Sequence, residues 1–407
     1  MIAESLRSGA AVRERCRNIL EAVLAGESGH FVVSMNALES AADHVARVTR
    51  ERYPDGSIPY HGRWRHFEAG GIDRLAELEN ALTARFGSPS AVERARAQID
   101  LTVISVLLDA GAGPDWSYHE SRTDRGFARS EGLAVASFRA FMAGAFSSRP
   151  DEPQRVDGQA LQHIDANRLA HVFQAHADNP IVGLEARAAL LNRLGEALLR
   201  DAPRFGPEGR PGELFFRITD KARRTELAAD ALLHALISGF GGIWQSASAP
   251  EGLNGGDVWP HRFAGGSGPT AGWVPFHKLL QWLTYSLLEP FEQAGVQMHG
   301  LDDLTALPEY RNGGLLIDTG VIVPRDPALA AMPLTPADEA VIEWRALTVA
   351  LIDELAPRVR ERLGTSAREM PLARILEGGT WAAGRALANE RRDGRPPLNI
   401  ITDGTFF

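Results

Sequence analysis

The stretch VPFHKLLQWLTYSLLEPFEQAG, residues 274–295, shows the pattern from which the fold class of this chain can be predicted. Its apolar residues recur at three- and four-residue spacing, which is the period of an α-helix with one buried face. Lys278, Gln281, Trp282 and Tyr285 share the opposite face, and Pro290 should end or kink the helix. That face could look at solvent, but two large aromatic side chains would then be exposed. We therefore favour the wall of a pocket, in which a desolvated lysine has a lowered pKa.

The same helical period recurs along most of the 407 residues. Strand signals are limited to HFVV at 30–33 and GLLIDTGVIVP at 314–324. No alternation of strands and helices and no internal repeat is visible. The sequence predicts a mainly α fold with a few short strands. Because no linker is evident, we expect residues 1–407 to form one compact unit, in which lobes near 1–150 and 151–407 can be envisaged.

Composition narrows the class of protein. A hydrophobic content of 44% and a charged content of 23% are typical of a globular protein with a large core. The net charge of −9, without a basic stripe, argues against nucleic-acid binding. No apolar run reaches the roughly 18 residues of a membrane span. Cys16 is the single cysteine and has no internal disulfide partner, so we expect a cytoplasmic protein, with homo-oligomerisation left open.

Lysine is almost absent. Arginine supplies all but two of the 43 basic residues, and the two lysines are Lys221 and Lys278. Where a lysine persists against such a bias, the position could require an ammonium group, or the residue could survive by chance. The aromatic neighbours of Lys278 favour the first interpretation.

A second candidate group follows the helix at 90–109. Its segment 99–108 is apolar nearly all round, and Asp109 lies at its carboxyl end, where the helix dipole disfavours an anion. We expect a raised pKa for Asp109 unless it is paired, although its side chain could simply bond loop amides. Trp116 and Tyr118 follow and offer a stacking surface for a small polar ligand. Ser130 is predicted to cap the next helix.

The loop NGGDVWPHR at 254–262 supplies a third group. Asp257, Trp259 and His261 follow its glycines, and His261 with Arg262 could hold a phosphate, although loop arginines are more often solvated. The chain contains no phosphate-binding Gly-Lys motif, no nucleophile elbow and no paired histidines or cysteines at metal-ligand spacing. The sequence therefore supports no metal site and no cofactor, and whether a metal is bound stays open.

The triplet Glu309-Tyr310-Arg311 is separated by one residue, Asn312, from the apolar run GGLLIDTGVIV. An exposed Glu-Arg pair would be the ordinary interpretation. The functional interpretation is that the apolar run packs rigidly and holds the Glu309 carboxylate in place.

Several segments resemble the uracil-catabolism protein family of fungi and bacteria. They are FEAGGIDR (67–74), LLDAGAGPDWSY (107–118), RSEGLAVASF (129–138), NGGDVW (254–259), VPFHKLLQWLTYSLLEP (274–290) and LPEYRNGGLLIDTGV (307–321). The resemblance implies a role in a pyrimidine-degradation route that opens the ring once uracil has become a nucleotide. A ribosylurea, phosphorylated on the ribose, then remains, and urea must be split from it.

A more distant resemblance concerns the mechanism. Queuosine-nucleotide N-glycosylases have a helix with Lys-x-x-Gln and, about thirty residues later, a segment like LTALPEYR, here at 304–311, before a Gly-Val pair, here at 320–321. Lys278 and Gln281 match the first motif, and Glu309 stands where that family has aspartate. The resemblance implies an architecture similar to helical DNA glycosylases, which also pair a lysine with a carboxylate.

Together these resemblances predict an N-ribosyl hydrolase that acts on a small nucleoside- or nucleotide-derived substrate. Glu309 would be the carboxylate beneath C1′, and Lys278 would hold the phosphate, the sugar hydroxyls or that carboxylate. Asp109 would be the acid, with Trp116 and Tyr118 at the leaving group and Arg311 on the phosphate or paired with Glu309. The remaining residues predicted to contact substrate are Gln281, Tyr285, Tyr310, Asp257, Trp259 and His261. The alternatives are an amidohydrolase acting on the ureido group and a non-catalytic nucleotide-binding protein of the same pathway.

Overall fold

The computed structural model describes residues 4–220, 223–244 and 256–401. The predicted mainly α fold is confirmed. The α-helices are α1 Gly9–Leu24, α2 Ala37–Arg52, α3 Trp64–Phe67, α4 Arg74–Phe86, α5 Ala91–Leu107, α6 Arg129–Met142, α7 Gly158–Leu161, α8 Ala166–Val172, α9 Leu184–Arg200, α10 Ala202–Phe205, α11 Glu213–Ile218, α12 Ala229–Phe240, α13 Lys278–Gln293, α14 Tyr310–Asp318, α15 Glu339–Leu363, α16 Leu372–Ile375 and α17 Trp381–Arg392. A π-helical turn, Leu376–Thr380, joins α16 to α17.

The strands are short and paired in twos. They are β1 Phe31–Val33, β2 Ser117–Glu120, β3 Arg125–Ala128, β4 Glu226–Ala228, β5 Val258–Pro260, β6 Trp273–Pro275, β7 Gln297–His299 and β8 Ile322–Pro324. β1 pairs with β8, β2 with β3 and β5 with β6, all antiparallel, while β4 and β7 are parallel. Within the part of the chain that the structure describes, no helix is long and apolar enough to cross a membrane.

The backbone divides into two compact units that alternate along the chain. The described residues of the first unit are 4–61, 256–281 and 300–401, and those of the second are 62–220, 223–244 and 282–299. Neither unit coincides with a lobe bounded near residue 150. The expectation of one compact domain stays a prediction.

Helix α15 forms the core of the first unit. Its residues from Ala340 to Ile352 are all buried, and it packs against α1, α2 and α14. Burial of a whole helical circumference removes a large apolar area from water and accounts for the central position of α15. In the second unit, α5 is buried from Ile99 onward, as its all-round apolar sequence predicts, and packs on α6.

The strand predicted at 314–324 is largely wrong, since residues 310–318 form helix α14 and only Ile322–Pro324 is a strand. Short apolar runs do not distinguish a strand from a buried helix, and tertiary packing decides here. A Cβ at Gly313 would stand 2.6 Å from the Trp344 ring, so this glycine lets α14 approach α15 closely. The strand predicted within HFVV is confirmed as β1, which pairs with β8.

Candidate functional site

Glu309 is the N-cap of helix α14. Its Oε2 accepts a hydrogen bond from the backbone N–H of Arg311 at 2.7 Å, and its Oε1 accepts one from Asn312 at 2.6 Å. The side chain is partly exposed. The first turn of α14 therefore fixes both carboxylate oxygens at the positive end of a helix, where an anion is stabilised.

Opposing effects act on the pKa of Glu309. Burial raises the pKa above its ordinary value, while the amides of Arg311 and Asn312 and the charges of Arg311 and Lys278 lower it. The charge of Lys278 is the smallest of these effects, and the lysine–carboxylate pair implied by the motif spacing stays a prediction. We infer that these two residues belong to one electrostatic cluster in the first unit.

Lys278 is the first residue of α13 and is only 9% exposed. Gln281 and Tyr285 are 0% exposed and Trp282 is 7% exposed, so the interpretation of this face as solvent-facing is wrong. Gln281 donates from Nε2 to the Thr305 hydroxyl at 2.9 Å. This hydrogen bond ties the first turn of α13 to the segment that leads into Glu309.

Asp257 fixes the start of α13. Its carboxylate accepts hydrogen bonds from the backbone N–H of Lys278 at 3.0 Å, from Trp259 Nε1 at 2.7 Å, and from both Nη atoms of Arg345 at 2.8 and 2.6 Å. Although burial raises its pKa, the Arg345 guanidinium and the other donors outweigh burial and bring the pKa of Asp257 to about 2. Asp257 and Trp259 therefore position Lys278. Their predicted contact with substrate stays a prediction.

Arg345 was missed by the sequence reasoning. It lies in the middle of α15 and is 1% exposed. A single arginine within the apolar run VIEWRALTVAL could have indicated a buried ion pair, because an isolated buried charge is costly. Its partner is 88 residues away, so no local motif identifies it.

The ordinary interpretation of Glu309-Tyr310-Arg311 as an exposed ion pair is wrong. Arg311 is 3% exposed and donates from Nη1 to the carbonyl of Gly394 at 3.2 Å. Its guanidinium lies over the Tyr310 ring at 4.7 Å from the centroid. Arg311 therefore anchors the beginning of α14, and its predicted contact with a phosphate stays a prediction.

His261 is 3% exposed and lies beside a buried carboxylate. Its Nε2 is 3.6 Å from Glu343 Oε2, and the Ser28 hydroxyl donates to the other Glu343 oxygen. A neighbouring carboxylate disfavours the phosphate binding suggested for His261. Arg262 is half-exposed and lies 3.2 Å from Glu339, in agreement with a solvated loop arginine. Asn254 and Gly255 of the same motif lie outside the described residues.

Asp109 belongs to the second unit and pairs with two donors. Arg63 Nη1 donates to Oδ1 at 2.5 Å, and the Ser130 hydroxyl donates to Oδ2 at 2.5 Å. Burial raises the pKa of Asp109, as expected for its position, and Arg63 and Ser130 oppose that rise. Both donors are side chains, so the alternative that Asp109 only bonds loop amides is wrong. The acid role stays a prediction.

The predicted cap at Ser130 is wrong. Ser130 is the second residue of α6, after an N-cap at Ala128 that makes no side-chain hydrogen bond. Its hydroxyl instead stabilises the Asp109 carboxylate. A nearby buried acceptor competes with the helix amides for the same hydroxyl, and the buried carboxylate is the stronger acceptor.

Two arginines that the sequence reasoning did not single out hold Asp109 and its loop. Arg63 is 0% exposed, donates from Nε to Ser105 at 2.7 Å, and lies over the Trp282 ring at 5.4 Å from the centroid. Arg187 donates to the carbonyls of Leu108, Ala110 and Gly111, which fixes the turn after α5. The basic, aromatic loop at 52–74 was the available signal for Arg63.

Trp116 and Tyr118, the aromatic residues predicted near the leaving group, are both buried. Their predicted contact with the leaving group stays a prediction. Trp116 is 1% exposed, donates from Nε1 to the Phe173 carbonyl at 2.9 Å, and meets the Phe173 ring edge-on. Tyr118 on β2 is 8% exposed, and burial raises the pKa of its hydroxyl. Among residues 4–220, 223–244 and 256–401, no group of three or more His, Cys, Asp or Glu side chains is arranged to hold a metal ion.

Two curated proteins are similar to this chain over nearly its full length. Protein urg3 of Schizosaccharomyces pombe is 37% identical over 403 residues, which cover 97% of this chain and 96% of that protein. Uracil catabolism protein 4 of Lachancea kluyveri is 35% identical over 434 residues, which cover 98% of each. These relatives confirm the family resemblance inferred from the sequence segments. Since the family profile described as Protein of unknown function (DUF1688) matches residues 5–407, this chain belongs to that family.

Proposed function

We propose that this protein acts in uracil catabolism, as an N-ribosyl hydrolase that splits a ribosylurea into urea and ribose or ribose 5-phosphate. The name of the Lachancea relative supports the pathway. The observation that carries the reaction is the Glu309 carboxylate, held by two amides at the start of α14 and influenced by the charge of Lys278.

The reaction breaks the bond between C1′ of the ribose and a urea nitrogen. The oxygen of water bonds to C1′, one of its protons leaves, and the departing urea nitrogen takes up a proton. Positive charge develops on the ribose in the transition state, so a fixed anion beneath C1′ lowers the barrier. Glu309 supplies this anion, because each carboxylate oxygen retains a lone pair beyond the one used by the α14 amides.

Glu309 also accepts the proton of the attacking water. A carboxylate whose pKa is raised by burial is a stronger base than an ordinary glutamate, which suits this role. Lys278 keeps Glu309 ionised and bonds a hydroxyl or phosphate oxygen of the substrate. Substrate binding and base activity thus share one cluster at the amino ends of α13 and α14.

Purified protein incubated with ribosylurea and with its 5′-phosphate tests the proposal. We expect equal amounts of free urea and new reducing sugar. Release of ammonia would point to the amidohydrolase, and binding of either compound without turnover would point to a nucleotide-binding protein.

Glu309→Gln tests the site. We expect kcat/KM to fall by about 100-fold or more, because the fixed negative charge is lost while the side chain keeps its size. Glu339→Gln is the matched control, since Glu339 is half-exposed on α15 and paired with Arg262. Full activity of Glu309→Gln would refute the site assignment even if urea is the product.

A further inference from the structure

A buried histidine–carboxylate pair lies at the π-helical turn between α16 and α17. His61 Nδ1 is 2.8 Å from Glu377 Oε2, and the two side chains are 5% and 6% exposed. The backbone N–H of His61 donates to the Ala373 carbonyl at 2.9 Å, and the Tyr53 hydroxyl donates to Glu377 Oε1 at 3.2 Å. A carboxylate on Nδ1 fixes the orientation and tautomer of the ring, which is how enzymes prepare Nε2 for proton transfer.

The packing of α17 on α14 places this pair at the Glu309 end of α14. A Cβ at Gly384 would overlap the Arg311 carbonyl, so the start of α17 touches the start of α14. Further along, both Nη atoms of Arg392 bond Asp318 at 2.7 and 2.6 Å, so the end of α17 touches the end of α14. The two helices therefore run in the same direction.

The residues that precede Gly384 consequently lie beyond the amino end of α14, on the side of Glu309. Trp381 is one turn before Gly384, and Glu377 is roughly 10 Å before it along the helix axis. The π-helical turn itself contacts α14. His61 stands beside Trp381, with 6.1 Å between the ring centroids.

The π-helical turn is a second reason to consider function. Such turns insert one extra residue into a helix, are costly, and are found frequently at functional sites. Here the turn carries Glu377 and is followed by the half-buried Trp381. A purely structural role is the competing interpretation, since Arg52 and Tyr53 also bond Glu377 and so anchor the end of α2.

We propose that His61, oriented by Glu377, is the proton donor to the urea nitrogen that leaves C1′, in place of the acid role predicted for Asp109. This inference rests on the N-ribosyl hydrolase function proposed above. As the C1′–N bond breaks, the proton on His61 Nε2 moves to the urea nitrogen, while the attacking water bonds to C1′ and gives a proton to Glu309. The proton on Glu309 then returns to His61 through solvent, so the sum is ribosylurea plus water giving urea plus ribose.

Two substrates that differ in their need for an acid test the assignment. Urea must be protonated to leave, whereas fluoride leaves from a β-ribosyl fluoride as the anion. The fluoride is used in the phosphorylation state of the ribosylurea that the wild type cleaves. His61→Asn keeps an N–H where Nδ1 stands, so the bond to Glu377 can persist while the acid is lost.

We expect His61→Asn to lower kcat/KM for ribosylurea by about 100-fold or more and to change it for the fluoride by less than about threefold. Glu309→Gln should impair both substrates. His163→Asn, the same change at an exposed histidine outside this cluster, is the matched control and should resemble the wild type on both.

An equal loss on both substrates, or wild-type urea release by His61→Asn, would overturn the inference. If His61→Asn does not fold, Glu377→Gln replaces it. We then expect a smaller fall in kcat/KM, again for ribosylurea and not for the fluoride. A wild type that releases no urea from either ribosylurea would refute the proposed function itself, and that result differs from any result of the variants.

Discussion

Glu309 caps a helix with a longer side chain than the serine, threonine, asparagine or aspartate that usually does so. One of its carboxylate oxygens accepts from the amide of Arg311 and the other from the amide of Asn312. Such a carboxylate cannot rotate without losing both bonds. This residue is therefore rigid before substrate arrives, which is the condition for electrostatic stabilisation of a transition state.

Replacing Lys278 should change the pH dependence of urea release. The Lys278 charge lowers the pKa of Glu309, so Lys278→Met should raise that pKa further above its ordinary value. Because the reaction needs ionised Glu309, activity falls as the pH falls through this pKa, and the acid limb of kcat/KM should move to higher pH. Lys278→Arg keeps the charge and should leave the limb near its wild-type position. An unmoved limb in Lys278→Met would contradict the electrostatic pairing.

At the scale of secondary-structure elements, glycines set the distance between helices. Gly313 allows α14 to approach α15, and Gly384 allows α17 to approach α14. Because Glu309 caps α14, the packing of α14 against α15 and α17 also determines the position of the Glu309 carboxylate. Helix α13 is fixed differently. Its first amide, that of Lys278, donates to Asp257, and both Nη atoms of Arg345 donate to the same carboxylate.

Gly384→Ala should force α17 away from α14. The added Cβ would overlap the carbonyl oxygen of Arg311, a backbone atom that cannot move aside alone. We expect a loss of about 1–3 kcal/mol in the free energy of unfolding and a fall in kcat/KM, because the amino end of α14 shifts. Gly29→Ala is the control, since nothing lies within 4 Å of its added Cβ. Equal stability of the two variants in chemical denaturation would refute the close approach.

At the scale of the whole molecule, each unit contains a buried carboxylate of low pKa. In the first unit it is Asp257, and in the second it is Glu120, which Arg74 and Arg139 bond at 2.6–2.8 Å. Burial raises each pKa, but the arginines and other donors prevail and bring both to about 2. Since these values lie below those of the unfolded chain, both carboxylates stabilise the fold above about pH 4. That contribution is lost as the pH falls towards 2.

Asp257→Asn should reveal this contribution. At neutral pH we expect a loss of about 3 kcal/mol in the free energy of unfolding, because Arg345 stays buried without its partner. The difference in the free energy of unfolding between wild type and variant should narrow by about 2 kcal/mol as the pH falls from 4 towards 2, because the Asp257 carboxylate of the wild type then becomes protonated. Denaturation of both proteins across this range is the measurement. Asp151→Asn, at an exposed position, should unfold with the same free energy as the wild type. A difference between wild type and Asp257→Asn that stays constant with pH would contradict the ion pair.

The helical character of the protein, the buried α5 and the strand β1 could all be predicted from the amino-acid sequence. Apolar periodicity is a local property, because each helix must bury its own face whatever it packs against. The sequence also singled out Lys278, Glu309 and Asp109, through a rare lysine, a polar triplet before an apolar run and a carboxylate at a helix end.

The contacts that hold these groups in place depend on residues far apart in the sequence and could not be predicted from it. Residues 314–318 form a helix, and Gly313 just before them allows this helix to pack closely against Trp344. Ser130, predicted as a helix cap, instead donates a hydrogen bond to Asp109. Arg345, Arg63 and the His61–Glu377 pair depend on partners 88, 46 and 316 positions away along the chain. The energy of a buried ion pair comes from proximity in space and exclusion of water, and neither is recorded in the spacing of residues along a sequence.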